Sequence, residues 1–138
     1  MKGFTLIELM IVLALIAILG SIASVQFGRT LTKTRHAMTL GNLATLRGAI
    51  SLFTAENGKP PQDDLQSLIA GSHLKGIPRK DTAPFHDAGN RVEAGPASAQ
   101  AASSGDWFYF NQENEVRFGQ VVINCDHQDL KGRSWMSY

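Results

Sequence analysis

Residues Phe4 to Val25 read FTLIELMIVLALIAILGSIASV. As a helix this stretch spans about 33 Å, close to the ~30 Å hydrocarbon thickness of a bilayer. Leu9 to Leu19 is an unbroken apolar run, apolar all round a helix rather than along one stripe, and so it needs an apolar surrounding on every side. Lipid supplies that surrounding. One residue breaks the pattern: Glu8, a carboxylate just inside the apolar stretch, where ionisable groups are expensive and mark function by default.

The rest of the composition is ordinary. The 138 residues are 43% hydrophobic and 18% charged, one domain's worth of sequence. Thirteen Lys and Arg against 12 Asp and Glu give a net charge of +1, which makes no electrostatic case for nucleic acid as the main partner. Cys125 is the single cysteine, so no internal disulfide and no thiolate cluster can form.

Three readings of the first segment compete. A secretory signal peptide would use Lys2 as its charged region and Ser21-Ile22-Ala23 as its cleavage site, but Glu8 inside the core argues against it. A plain membrane anchor would use Thr5 and Glu8 as a reciprocal capping box, with Glu8 also favoured by the positive end of the helix dipole. The third reading rests on Gly3-Phe4-Thr5-Leu6-Ile7-Glu8-Leu9, which resembles the cleavage and methylation motif of type IV pilins and their pseudopilin relatives: a glycine, then a phenylalanine, then a glutamate four residues on, then the apolar run.

The resemblance implies that an inner-membrane prepilin peptidase cuts between Gly3 and Phe4 and methylates the new amino group of Phe4. Removing Lys2 with the leader leaves 12 basic against 12 acidic side chains, a neutral subunit. It implies a role for Glu8 as well. In a bundle of apolar helices its charge needs a partner, and the Phe4 ammonium of a neighbouring subunit is the obvious one, setting the stagger between subunits more than their cohesion. Thr5, Phe4 and Glu8 are therefore the expected assembly residues. The sequence departs from the family's usual pattern in three places. The leader Met1-Lys2-Gly3 is short, with one cation, which points to a start further upstream. Val25 stands where many relatives have proline, leaving Gly20 and Gly28, at ~1 kcal/mol each relative to Ala, as the weak points of the helix. Arg29, Lys33 and Arg35 follow the span while Lys2 alone precedes it, so positive-inside counting puts the carboxyl end in the cytoplasm; the resemblance implies the opposite and takes precedence.

Beyond Val25 the helix is expected to continue to about Glu56, with Leu43, Leu46, Ile50 and Phe53 as its apolar stripe and Thr45, Arg47 and Ser51 on the polar face. Asn57-Gly58 and Pro60-Pro61 stop it. The expected divisions are 1–3 leader, 4–28 membrane and assembly helix, 29–56 amphipathic half and 57–138 globular head. Asp63 to Ala70 predicts a short helix with Leu65, Leu68 and Ile69 inward, Asp63 or Asp64 capping its start and Gly71 ending it. This region, from Asn57-Gly58-Lys59-Pro60-Pro61 to Leu74-Lys75-Gly76-Ile77-Pro78, is similar to the segment after the long helix in major pilins and in pseudopilins with small domains. Arg79-Lys80 reads as solvated loop charge. In Ala94 to Gly105, ten of twelve residues are Ala, Gly or Ser, which reads as a mobile surface loop. Trp107 to Phe110, Val116 to Phe118 and Gln120 to Ile123 read as strands, with Asn111 to Asn114 the first turn, Gly119 a bulge or second turn, and Ser134 to Tyr138 a terminal strand. The fold class is α+β, a long amino-terminal helix packed on a small antiparallel sheet.

Catalysis has little support: no nucleophile motif, phosphate-cradling loop or metalloprotease helix occurs, and His36, His73, His86 and His127 read as scattered surface residues. Asp126 and Asp129, with Asn124 nearby, are weak candidates for a hard cation such as the calcium known in major secretion pseudopilins. Two carboxylates fall short of the six to eight oxygens calcium takes, so ordinary turn residues are the better reading and no metal or cofactor is expected. Cys125 reads as a buried small hydrophobe; many pilins close a carboxyl-terminal loop with a disulfide, and this chain cannot. Phe4, Phe27 and Phe53 read as packing residues, and the Trp107 to Phe110 aromatics as sheet core. The resemblance implies a non-enzymatic filament subunit with these partners: copies of itself in a helical filament, the prepilin peptidase, an inner-membrane assembly platform, and membrane lipid before assembly. The resemblance also implies passage from the bacterial inner membrane to a surface filament. The alternatives are a type II secretion pseudopilin in a periplasmic pseudopilus and a monomeric membrane-anchored binding domain.

Overall fold

The computed structural model describes residues 3–100 and 103–138, and at Val25 the backbone alone. Met1 and Lys2 of the expected leader, Ala101 and Ala102 of the expected loop, and the side chain of Val25 lie outside the described residues. The chain divides into two compact units, Met1–Thr34 and Arg35–Tyr138. Helix α1, Leu6–Asn57, contributes to both.

In the first unit the apolar side chains from Leu6 to Leu19 and Phe27 are all exposed, and α1 is long and apolar enough to cross a membrane. Its few hydroxyls turn back on the helix itself: Ser21 donates to the Ile18 carbonyl at 2.7 Å, Thr30 to Gln26 at 3.0 Å and Thr34 to Thr30 at 3.0 Å. These three hydroxyls are thereby satisfied without solvent. Gly20 and Gly28 do not break α1, because glycine weakens a helix but keeps its backbone N–H in the ladder.

In the second unit α1 buries His36, Thr39, Leu43, Leu46, Ala49 and Ile50, with Phe53 half-buried, at the three- and four-residue steps of one helix face. The apolar part is the predicted stripe; the polar His36 and Thr39 extend it. Gly58, at φ +77°, ends the helix in the left-handed conformation that glycine adopts freely, its amide reaching the Thr54 carbonyl at 2.8 Å. Helix α2 is shorter than predicted, Gln66–Ala70. Asp63 caps it, accepting from the Leu65 amide at 3.0 Å and the Ser67 amide at 2.7 Å, and Leu65 and Leu68 enter the core.

The sheet has three strands, β1 (Val92–Gly95), β2 (Trp107–Phe110) and β3 (Val121–Ile123), in the order β1-β2-β3. It is mixed, not antiparallel: β2 pairs antiparallel to β3 as expected, but β1 pairs parallel to β2 with Val92 opposite Trp107. Ala94 and Gly95 therefore belong to a strand rather than to the loop. The small-residue segment that follows serves as the crossover that parallel pairing requires. Val116 to Phe118 is no strand. It forms a run of tight turns, with Phe118 bonded back to Glu115 and Gln120 to Arg117, because it closes the β2–β3 hairpin just outside the pairing of Phe110 with Gly119 at 2.9 Å and Gln120 at 3.0 Å. Ser134 to Tyr138 is no strand either. Trp135–Ser137 forms a 3-10 turn that sinks Trp135 completely and sets it edge-on to His36 at 4.7 Å.

Alternation along β2 divides the aromatics between two faces. Trp107 and Tyr109 join Val121 and Ile123 against Leu43, Leu46 and Ile50 of α1, while Phe108 and Phe110 join Val122 on the opposite face. The polar tips of the first pair are satisfied: Trp107 Nε1 donates to the Pro78 carbonyl at 2.9 Å and Tyr109 Oη to Pro61 at 2.6 Å. Burial pushes the Tyr109 phenol well above its usual range. Lys80 corrects the reading of Arg79-Lys80 as solvated charge. It is 2% exposed, its ammonium donating to the Asp87 carbonyl at 2.9 Å and lying 3.6 Å from the Asp106 carboxylate. A buried cation is tolerable only with such partners.

Candidate functional site

The start of α1 carries the predicted assembly residues. Gly3 and Phe4 precede the first helical turn and are exposed, so the peptide bond between them is outside the helical ladder. Thr5 and Glu8 form a complete capping box: the Thr5 amide donates to the Glu8 carboxylate at 2.9 Å, the Thr5 hydroxyl donates to it at 2.8 Å, and the Glu8 amide donates back to that hydroxyl at 3.3 Å. The structure thus brings Phe4, Thr5 and Glu8 together at one helix end, with Leu6, Ile7, Leu9 and Ile11 exposed around them.

The residues singled out in the carboxyl-terminal segment separate. Asp129 is a turn hub, its carboxylate accepting from the Lys131 amide at 2.8 Å, the Arg133 amide at 2.9 Å and the Tyr138 hydroxyl. Asn124 is buried and donates to Ser104 at 2.9 Å and Glu93 at 3.2 Å. Asp126 is exposed beside His127.

The histidines are not scattered surface residues. His36 is buried with Nε2 3.0 Å from the Ala83 carbonyl, and His73 meets Glu56 at 2.9 Å. His86 and His127 converge on Cys125, with one ligand atom from each of the three within 4.8 Å of the others. The His127 ring stacks on Phe85 at 4.2 Å, and its Nδ1 lies 3.5 Å from the Cys125 sulfur. Burial pushes the Cys125 thiol up; burial, with the charges of His127 and Lys80, pushes His86 down. Sequence reasoning missed this cluster because His86 reaches it only through the fold. The local signal was Cys125-Asp126-His127, three metal-ligating residue types in a row.

The profile of the prokaryotic N-terminal methylation motif matches residues 1–24. Fimbrial protein EcpC of Eikenella corrodens is 35% identical over 71 residues, which cover 51% of this chain and 46% of that protein. Fimbrial protein Q of Moraxella bovis is 43% identical over 136 residues, which cover 95% of this chain and 82% of that one. The chain belongs to the type IV pilin family. No match to a solved structure reaches significance. As a pilin the chain is a structural subunit rather than an enzyme, and the exposed apolar half of α1 is consistent with membrane anchoring.

Proposed function

We propose that this pilin is made as a prepilin, cut between Gly3 and Phe4 by an inner-membrane prepilin peptidase, and methylated on the Phe4 amino group. Residues 1–3 are the leader and residues 4–28 hold the chain in lipid before assembly. Residues 29–56 are the amphipathic continuation and residues 57–138 the globular head. An assembly platform then adds the mature chain, through its amino-terminal helix, to a homo-oligomeric surface filament. The fimbrial relatives favour this filament over a periplasmic pseudopilus.

The observation that carries the reading is the lone carboxylate of Glu8, held by Thr5 among exposed apolar side chains. While the chain is alone, the cap satisfies that carboxylate. Cleavage creates an ammonium on Phe4, and when apolar helices pack side by side, the ammonium of one subunit neutralises Glu8 of the next. A one-turn slip would leave two charges buried without partners, so the pair selects the stagger although its net contribution to cohesion is small.

Glu8→Ala in the native host tests this. The expected outcome is a chain that still begins at N-methylated Phe4 by intact mass, with a folded head and no filaments in the sheared surface fraction. Filaments at wild-type yield from Glu8→Ala, or a mature chain that retains Met1 or begins near Ser24, would overturn the reading.

A further inference from the structure

We infer that His86, Cys125 and His127 form a site for one borderline-soft divalent cation, zinc by preference, in the Arg35–Tyr138 unit. The inference is independent of filament assembly. Nδ1 of His127 faces three polar atoms at nearly equal range: Asp126 Oδ1 at 3.4 Å, Cys125 Sγ at 3.5 Å and Ser103 Oγ at 3.5 Å. Hydrogen bonds between nitrogen and oxygen close to about 2.7–3.2 Å, so none of the oxygen contacts has closed. These separations are instead those of neighbouring corners of a zinc tetrahedron, where arms of about 2.0–2.3 Å put ligand atoms ~3.3–3.8 Å apart. The ring nitrogens of His86 place a ligand atom within 4.8 Å of the other two, and His86 Nε2 is 3.2 Å from Ser103 Oγ, a hydrogen bond that a bound ion would replace.

The framework around the cluster is built to hold these ligands. The backbone at Cys125 is fixed directly after β3, its carbonyl accepting from the Met136 amide at 3.1 Å. Phe85, stacked on His127, fixes that ring. Gly105, at φ +79°, makes room for His86: a Cβ there would stand 2.3 Å from the His86 ring carbon Cγ. Ligand chemistry selects the metal, since imidazole and thiolate together suit zinc and not calcium or magnesium. The fourth corner falls to the exposed carboxylate of Asp126. Two neutral imidazoles, one thiolate and one carboxylate then balance the two positive charges of the ion. Asp126 thus acquires a role, but in a nitrogen and sulfur site rather than an oxygen one.

The test is cobalt and zinc titration of the full-length, tag-free chain in detergent micelles. The expected result is one cobalt per chain with a near-ultraviolet thiolate charge-transfer band and the intense visible bands of tetrahedral cobalt, all removed by one equivalent of zinc. Cys125→Ser abolishes the charge-transfer band. Because Cys125 is fully buried, His86→Gln and His127→Gln, both at half-buried positions, carry the test if that variant fails to fold. Each is expected to weaken zinc binding at least about tenfold, the loss that even an outer-shell change produces, while circular dichroism stays unchanged. His73→Gln, at the histidine paired with Glu56, keeps both band and affinity. A folded wild-type chain without the charge-transfer band, or wild-type affinity in both His86→Gln and His127→Gln, overturns the assignment.

Discussion

One helix lives under two sets of rules in this pilin. Between Leu6 and Thr34 its large apolar side chains, among the described residues, are exposed, and between Arg35 and Asn57 the side chains of one face are buried against the sheet and the loops of the same chain. Helix-forming chemistry is common to both halves. What differs is where the apolar surrounding comes from: the second half finds it within its own sequence, and the first must take it from lipid or sister helices. Stability of the Arg35–Tyr138 unit and the exposed apolar surface of the first half are therefore encoded in separate residues.

The largest effect that tests this separation comes from paired truncations. Leu46 is fully buried and Leu13 is 58% exposed. Leu46→Ala is expected to destabilise the Arg35–Tyr138 unit by about 3–5 kcal/mol, the transfer and cavity cost of a core leucine. Leu13→Ala, in the same helix, is expected to change that stability by less than about 0.5 kcal/mol. Urea unfolding of the full chain in micelles, followed by tryptophan fluorescence, reads the difference directly, because Trp107 and Trp135 are both buried in the second unit. Similar losses from the two variants would break the comparison.

A smaller effect sharpens it by asking what the second unit tolerates in its interior. Lys80→Met keeps most of the buried methylene stem and removes the ammonium that meets Asp87 and Asp106. Asp106 retains Arg91, whose Nε is 3.7 Å away, so its carboxylate does not lose its only cation. The expected loss is about 2 kcal/mol, that of an ionic hydrogen bond rather than of an orphaned buried charge. An unchanged urea midpoint would mean that the ammonium contributes nothing net to stability.

Legibility in the sequence followed the same division. The first half was readable because its signal is local: an apolar run, a Thr5–Glu8 cap at a fixed offset and a short motif need no tertiary information. The stripe through Leu43, Leu46 and Ile50 was readable from periodicity, and Trp107 to Phe110 from composition. Elements decided by distant partners were not. Val92–Gly95 became a strand because β2 offered it a parallel edge, while Val116 to Phe118, with strand-forming residues, fell in the turn that closes the β2–β3 hairpin. Trp135 reads equally well as strand or turn until His36 is known to lie beside it. Lys80 and His86 were misread for one reason: burial and neighbours come from the fold, and a residue's type alone carries neither. The Thr5–Glu8 cap was thus visible in sequence, and the His86, Cys125, His127 cluster was visible only in Cys125 and His127, two residues apart.

The smallest predicted effect lies at Asp129 and depends on pH. Desolvation pushes this carboxyl up, but hydrogen bonds from Tyr138, Arg133 and Lys131 outweigh it and hold the group below its ordinary 3.8. A depressed carboxyl contributes stability that is present above 3.8 and is lost as pH falls through the lower, folded value. The phenol of Tyr138 is raised by the same contact, so its share is present below 10.0 and lost as pH rises beyond it. Asp129→Asn leaves a neutral acceptor in place of the carboxylate. It is expected to cost less than about 1 kcal/mol at around neutral pH, since the site is near the surface and its bonds compete with water. Wild type and variant should then converge in urea midpoint as the pH is lowered below the ordinary 3.8 and through the depressed value at which the wild-type carboxylate protonates. A gap between them that is independent of pH would assign the loss to altered turn geometry and remove the charge of Asp129 from the stability of this unit.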